Sequence, residues 1–131
     1  MQIKGRIISK GKVEGEVLLS KDAISFLGGV DPKTGLVIEK DHCLEGKSIS
    51  NKILIFPRGK GSTVGSYVML QLKKNNTAPL AIITIDAEPI ISVGAIISKI
   101  PMLDQLDKNP FEILKDGMKI SLDADEGLIE F

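Results

Sequence analysis

Reactive residue types are concentrated in one short segment, Pro57-Arg58-Gly59-Lys60-Gly61-Ser62-Thr63. It follows an apolar run, Ile53–Phe56, and precedes residues spaced for a helix, so it joins a buried strand to a helix. Ligands of α/β sheets bind beyond the carboxyl ends of the strands, where such a loop lies. Gly59 and Gly61 allow the backbone to come close to a ligand. Ser62 or Thr63 is expected to start the helix. The free N–H groups and dipole of a helix start favour negative charge above the loop, and Arg58 and Lys60 add cations. The segment is not a Walker A loop, because Gly59-Lys60 is followed by Gly61 rather than by Ser or Thr. It is not a dinucleotide fingerprint either, because position 64 is valine. Two readings of Ser62 stay open on these residues alone: a reactive hydroxyl, or a helix cap of a favoured type.

Other residues carry weaker signals. His42 is the only histidine and Cys43 the only cysteine. Their adjacency does not supply the geometry of a nucleophilic pair, and both read as positions in a polar loop. The stretch Gly28-Gly29-Val30-Asp31-Pro32-Lys33-Thr34-Gly35 is a loop whose glycines make it entropically expensive for mere connection, so it reads as functional. Asp86 and Glu88 end a strand where they can face the Ser62 loop. Asp123, Asp125 and Glu126 read as a solvated turn.

The elements that hold these residues follow from hydrophobic periodicity. Residues 2–9 and 12–19 predict two strands around Lys10-Gly11, with Gly11 as the turn residue. Residues 22–27 predict one helical turn, 36–38 a short strand, and 39–51 irregular polar chain. Residues 53–56 and 80–85 are continuous apolar runs, as strands covered on both faces require. Between them, Val64, Tyr67, Val68 and Leu72 place a helix over 62–74, with Lys73-Lys74 where cations favour a helix C-terminus. Pro89 opens a second helix to about Ser98, and 100–103 predict a third strand. This is a β-α-β-α-β unit with a parallel sheet. Residues 110–114 predict a further turn of helix, and 119–123 with 128–131 a closing hairpin. The expected fold is α/β: one swivelling β/β/α domain over residues 1–131, with β-rich ends flanking the β-α-β-α-β core.

Composition removes several function classes. Lys plus Arg and Asp plus Glu are 17 each, so no net field favours nucleic acid or an anionic membrane. There is no Trp and one Tyr, too few aromatics for a base-stacking platform. One cysteine cannot form an internal disulfide, nor can it alone hold zinc or an iron-sulfur cluster, so no metal ligands are expected in this chain. The N-terminal residues lack the apolar stretch of a signal peptide, no run reaches membrane-span length, and a cytoplasmic location is expected.

Taken together, Gly28 through Gly35, then Pro57 through Gly61-Ser62-Thr63-Val64-Gly65-Ser66-Tyr67, then Ala87-Glu88-Pro89 resemble the small subunits of the aconitase X family. The resemblance runs over nearly the whole chain with the motifs in the same order. It implies a swivelling domain like the mobile fourth domain of aconitase. It also implies a large catalytic partner subunit in a heterodimer, which holds an iron-sulfur cluster of the 4Fe-4S type through three cysteines. Ser62 then falls on the family's proton acceptor. Gly61, Thr63 and Lys60 fall on its substrate-binding loop, with Gly29 and Asp31 in the glycine-rich loop. Lys60 stands where many relatives carry arginine, which keeps the charge but not a bidentate grip. The activity implied is a hydro-lyase acting on a small phosphorylated hydroxy acid, 5-phosphomevalonate. The alternatives are another hydroxy acid, such as cis-3-hydroxyproline, and a non-catalytic anion-binding module.

Overall fold

Alternate side chains of the central strands point into two different cores, which makes the molecule three layers deep. The computed structural model describes residues 1–131. Its strands are β1 (Gln2–Lys4), β2 (Arg6–Ser9), β3 (Lys12–Leu19), β4 (Ile53–Phe56), β5 (Ala81–Thr84), β6 (Met102–Asp104), β7 (Lys119–Asp123) and β8 (Leu128–Glu130). Its helices are α1 (Phe26–Gly29), α2 (Gly65–Lys74), α3 (Pro89–Ile97) and α4 (Pro110–Ile113). Leu54, Phe56 and Ile82 pack against Val68, Met69 and Leu72 of α2 and Ile91 and Ala95 of α3. Ile53, Ile55, Ile83 and Leu103 face the other way, onto Ile120, Leu122 and Ile129 of the closing hairpin. The layers are therefore β, β and α, the expected arrangement.

The strand order is β1-β8-β7-β3-β4-β5-β6-β2. β4, β5 and β6 run parallel, so the predicted β-α-β-α-β unit is present, and β3 adds a further parallel strand beside β4. The closing hairpin of β7 and β8 also forms.

The first predicted hairpin does not form. Residues 2–9 are interrupted at Gly5; β1 pairs with β8 and β2 with β6, both antiparallel. β3 pairs with β7 and β4 instead of β2. Lys10-Gly11 is thus a crossing from the end strand β2 to the central strand β3. Gly11 sits at φ +145 against Pro101, and its carbonyl accepts from Ala124 N at 2.8 Å. Because β1 and β2 lie at the two ends of the strand order and are joined at Gly5, the sheet curls back on itself. The predicted short strand at 36–38 reduces to isolated bridges, Val30 with Val37 and Leu36 with Ser48.

The two long helices start and stop for local reasons. α3 begins with Pro89 in its first turn and Glu88 as cap. α2 ends in Lys73 and Lys74, and Asn76 then takes a left-handed conformation, φ 59, that terminates it. They pack closely because Gly94 lets α3 approach the Ser66 backbone: a Cβ there would come within 3.2 Å of Ser66 Cα.

Candidate active site at the Ser62 loop

The loop leaves β4 at Pro57 and runs extended past Ile24. Ile24 N donates to Arg58 O at 3.2 Å, and Lys60 N donates to Ile24 O at 2.9 Å. Gly59 lies flat against the start of α3: a Cβ would come within 2.6 Å of Glu88 Oε1 and closer still to Ile91 Cγ1. Gly61 takes φ +92, and a side chain there would meet Ser25 Oγ. Both glycines are therefore required by space, and Gly61 by conformation as well.

Helix α2 starts at Gly65, later than predicted, and neither Ser62 nor Thr63 caps it; the cap position is Val64. The reason is a tight turn ahead of the helix, in which Gly65 N donates to Ser62 O at 3.0 Å. Inside this turn the half-buried Ser62 accepts a hydrogen bond at Oγ from Val64 N–H, at 3.1 Å. Thr63 is exposed, and its carbonyl accepts from Ser66 Oγ at 3.3 Å.

The other predicted residues divide between two places. Gly29 is close to the loop through Glu39. The Gly29 carbonyl accepts from Ile38 N at 2.9 Å, and a Cβ on Gly29 would stand 3.3 Å from Glu39 Oε1. Glu39 Oε2 in turn binds Lys60 Nζ at 2.9 Å. So Lys60, expected from the sequence as a cation of the site, stands half-exposed beside the loop and is ion-paired with Glu39. Asp31 does not join the site. Its Oδ1 accepts from Lys33 N at 3.0 Å in a turn, and the neighbouring Pro32 carbonyl accepts from Asn75 Nδ2 at 2.9 Å. That places Asp31 at the far end of α2, about 15 Å from its start at 1.5 Å per residue. The glycine-rich loop is therefore half site and half helix brace.

Asp86 and Glu88 are both engaged. Asp86 Oδ1 accepts from Gln105 Nε2 at 3.0 Å. Glu88 accepts from Ile90 N at 3.0 Å and Ile91 N at 3.1 Å, the capping bonds of α3. The residue that sequence reasoning missed is Asp104. It is 0% exposed and grips Arg6 in a two-point fork, Nε to Oδ1 at 2.8 Å and Nη2 to Oδ2 at 2.7 Å. Ala87 N also donates to its Oδ2, at 2.8 Å. The hydrogen bond to Asp104, and then its charge, raise the Arg6 pKa above the ordinary arginine value.

Asp22, His42 and Cys43 bring their side chains within 4.8 Å of one another. His42 is 7% exposed, and both ring nitrogens are occupied. Nε2 donates to Ala23 O and Nδ1 accepts from Leu44 N, each at 3.0 Å. With its lone pair on Nδ1 committed, the imidazole has nothing to offer a metal, and the cluster is a loop clasp. One cysteine with this histidine does not fit an iron-sulfur centre, which takes several thiolates.

The cleft above the carboxyl ends of β3, β4 and β5 measures about 670 Å³, and Leu19, Lys21, Lys47, Pro57 and Ile85 are among its lining. Ser62 lines none of the clefts of the chain.

The Ser62 loop thus stands on the rim of a β/β/α domain, outside its clefts. Residues 2–131 match the model of the aconitase X swivel domain. The chain belongs to the aconitase X swivel family. The phosphomevalonate dehydratase small subunit of Methanosarcina acetivorans is 62% identical over 130 residues, covering 99% of this chain and 90% of that one. The protein of the same name from Methanothermobacter thermautotrophicus is 54% identical over 131 residues, covering 100% of both. A crystal structure of Thermococcus kodakaraensis aconitase X in its holo-form superimposes with a TM-score of 0.94 at 57% identity, over 99% of this chain and 97% of that one. The swivel-family fold expected from the motifs is thus the fold observed.

Proposed function

We propose that the chain is the small subunit of a phosphomevalonate dehydratase and that Ser62 is its proton acceptor. The reaction removes water from 5-phosphomevalonate to give trans-anhydromevalonate 5-phosphate: a proton leaves the carbon next to the carboxylate, and the hydroxyl leaves the neighbouring carbon. The relatives' shared name supports the substrate. The observation that carries Ser62 is the hydrogen bond that its Oγ accepts from Val64 N–H at 3.1 Å.

A serine hydroxyl is a weak base unless its alkoxide is stabilised. A backbone N–H aimed at the oxygen favours the charged form, and it needs no reorganisation because the tight turn holds it in place. The glycines on either side of Lys60 keep the loop low, so substrate can reach the hydroxyl from outside. Since Ser62 lines no cleft of this chain, a second surface must enclose the substrate. We assign that surface to a large partner subunit, which also holds the iron-sulfur cluster, because this chain's donors do not fit one. We place the pair in the cytoplasm, whose reducing conditions suit a cluster and a free thiol. No helix of the chain is long and apolar enough to cross a membrane.

The test is turnover of 5-phosphomevalonate by the co-expressed pair, with the melting temperature read on the same sample. Ser62→Ala should lower the rate on the order of 100-fold or more, while the lost turn bond costs about 1 kcal/mol of stability. Thr63→Ala is the control: its hydroxyl makes no bond in the turn, so it should melt normally, and as a change in the substrate-binding loop it should raise KM while kcat stays near normal. A Ser62→Ala pair with near-normal turnover would end the catalytic assignment.

A further inference from the structure

The Ser62 loop does not stand alone; it leans on the start of α3, and that start is tied to a buried carboxylate on another strand. Gly59, three residues before Ser62, is pressed against Glu88 and Ile91 so tightly that no Cβ fits. Glu88 has both oxygens bound to the α3 N–H groups of Ile90 and Ile91, and its carbonyl accepts from Ser92 Oγ at 3.0 Å. Its orientation is therefore that of the helix start. The residue before Glu88 is Ala87, whose N–H donates to Asp104 Oδ2 at 2.8 Å. Asp104 closes β6, is 0% exposed, and is oriented by the Arg6 fork from β2. A buried carboxylate is costly unless it is paired and hydrogen-bonded. Three donors on two oxygens meet that need and leave it one orientation.

We propose that Asp104 is a positioning residue for Ser62: through Ala87 N–H it sets the Asp86–Glu88 turn and the start of α3, against which Gly59 fixes the height and angle of the loop. Arg6 orients the carboxylate but does not touch the turn, so its contribution is indirect. The chain of contacts runs Arg6, Asp104, Ala87, Glu88, Gly59, with no gap that a solvent molecule has to bridge. A general base must stand within hydrogen-bond reach of the proton it takes, and a displacement of about 1 Å costs on the order of 100-fold in rate. A loop with two glycines has little stiffness of its own, so its placement comes from what it rests on: Ile24, which bonds Arg58 and Lys60, on one side and the start of α3, which meets Gly59, on the other. This inference rests on Ser62 as proton acceptor for its kinetic consequence, but not for its structural one.

Three variants separate positioning from plain stabilisation. Asp104→Asn keeps the shape and loses the charge and one acceptor. Arg6→Lys keeps a cation beside Asp104 and leaves the bond to Ala87 intact. Glu88→Gln, which sits on the surface side of the same chain and retains a capping oxygen, serves if Asp104→Asn does not fold. Each is assayed as the assembled pair, well below its melting temperature, and as the labelled isolated chain by amide NMR. Asp104→Asn and Glu88→Gln should lower kcat about tenfold with KM within threefold, and should move the amide signals of Gly59 through Thr63. Arg6→Lys should lose stability yet keep kcat within twofold. Equal kcat losses in proportion to melting temperature in all three variants would reduce Asp104 to a structural staple. Unmoved Gly59–Thr63 signals in Asp104→Asn or Glu88→Gln would overturn the proposal, whatever the kinetics of Ser62→Ala. If those signals move but Ser62→Ala turns over normally, the fault lies with the catalytic assignment and the coupling to the loop stands.

Discussion

At the scale of single residues, the site is built from backbone as much as from side chains. Ser62 Oγ accepts from a main-chain N–H, and the two glycines around Lys60 act by what they lack. Gly61 offers the sharper test. At φ +92 an alanine is strained, and its methyl would meet Ser25 Oγ. Strain of this kind costs about 1–3 kcal/mol. The loop can relieve it only by moving, and Ser62 is the next residue. Gly61→Ala should therefore depress turnover of the pair on the order of 100-fold, well beyond its effect on melting. Adding Ser25→Ala removes the steric part of the clash but not the unfavourable φ, so recovery should be partial. Full recovery would mean that conformation at Gly61 is irrelevant; no recovery would mean that contact with Ser25 is. Lys60 is held by a partner distant in sequence. Its ammonium is neutralised by Glu39, which lies 21 positions away in chain that reads as irregular polar loop. Pairings of that separation leave no mark on local sequence.

At the scale of elements, the parallel unit and the closing hairpin were legible and the N-terminal strands were not. β4 is a four-residue apolar run between Lys52 and Pro57, β5 lies inside the apolar stretch Leu80–Ile85, and α2 between them carries 3.6-residue periodicity and ends in lysines and asparagines. Those signals are local. The split of residues 2–9 at Gly5 is not local: β1 and β2 are separated by pairing with β8 and β6, more than ninety residues further on. Asp104 was illegible for a related reason. At the end of Met102-Leu103-Asp104 an aspartate reads as a strand running out into solvent, and only the Arg6 fork makes its burial possible. The clasp between the segment after β3 and the 39–51 stretch is another long-range feature, and its behaviour in acid follows from charge. The Cys43 backbone N–H donates to Asp22 at 2.9 Å. Chiefly for that reason, and with help from the Cys43 side chain, His42 and Lys60, the Asp22 pKa lies below its ordinary 3.8, although desolvation opposes the shift. The fold thus favours the ionised form. The stabilisation is fully present above the unfolded value and is lost as pH falls through the lower folded value. Asp22→Asn should melt below the native chain by a constant margin from about pH 7 to 5, and the margin should close below about pH 4. A margin that persists at the lowest pH would show that the clasp does not depend on the carboxylate's charge.

At the scale of the whole molecule, two groups stand out among the exposed apolar side chains, and one of them borders the Ser62 loop. Leu27 and Val64 are each 45% exposed and Tyr67 is 64% exposed; they flank the Ser62 loop on α1, the turn before α2 and α2 itself. Val93, Ile96 and Ile97 form the second group, on the outer side of α3. A large aromatic left mostly in water near the Ser62 loop is the kind of anchor that interfaces bury. Covering it would enclose Ser62, which no cleft of this chain does. The expected binding surface for the partner subunit is therefore the Leu27, Val64 and Tyr67 group. Tyr67→Asp should leave the isolated chain's melting temperature almost unchanged, since surface substitutions usually stay within about 0.5 kcal/mol. It should weaken the pair about tenfold or more, as loss of an interface anchor does, and gel filtration of the co-expressed subunits at micromolar concentration would show them apart. Ile97→Asp, on the far side of α3, should leave the pair intact. The reverse result, with Ile97→Asp splitting the subunits and Tyr67→Asp sparing them, would move the interface to α3 and leave Ser62 facing solvent. A base in that position could not be shielded from water, so the same result would count against the proton-acceptor role as well.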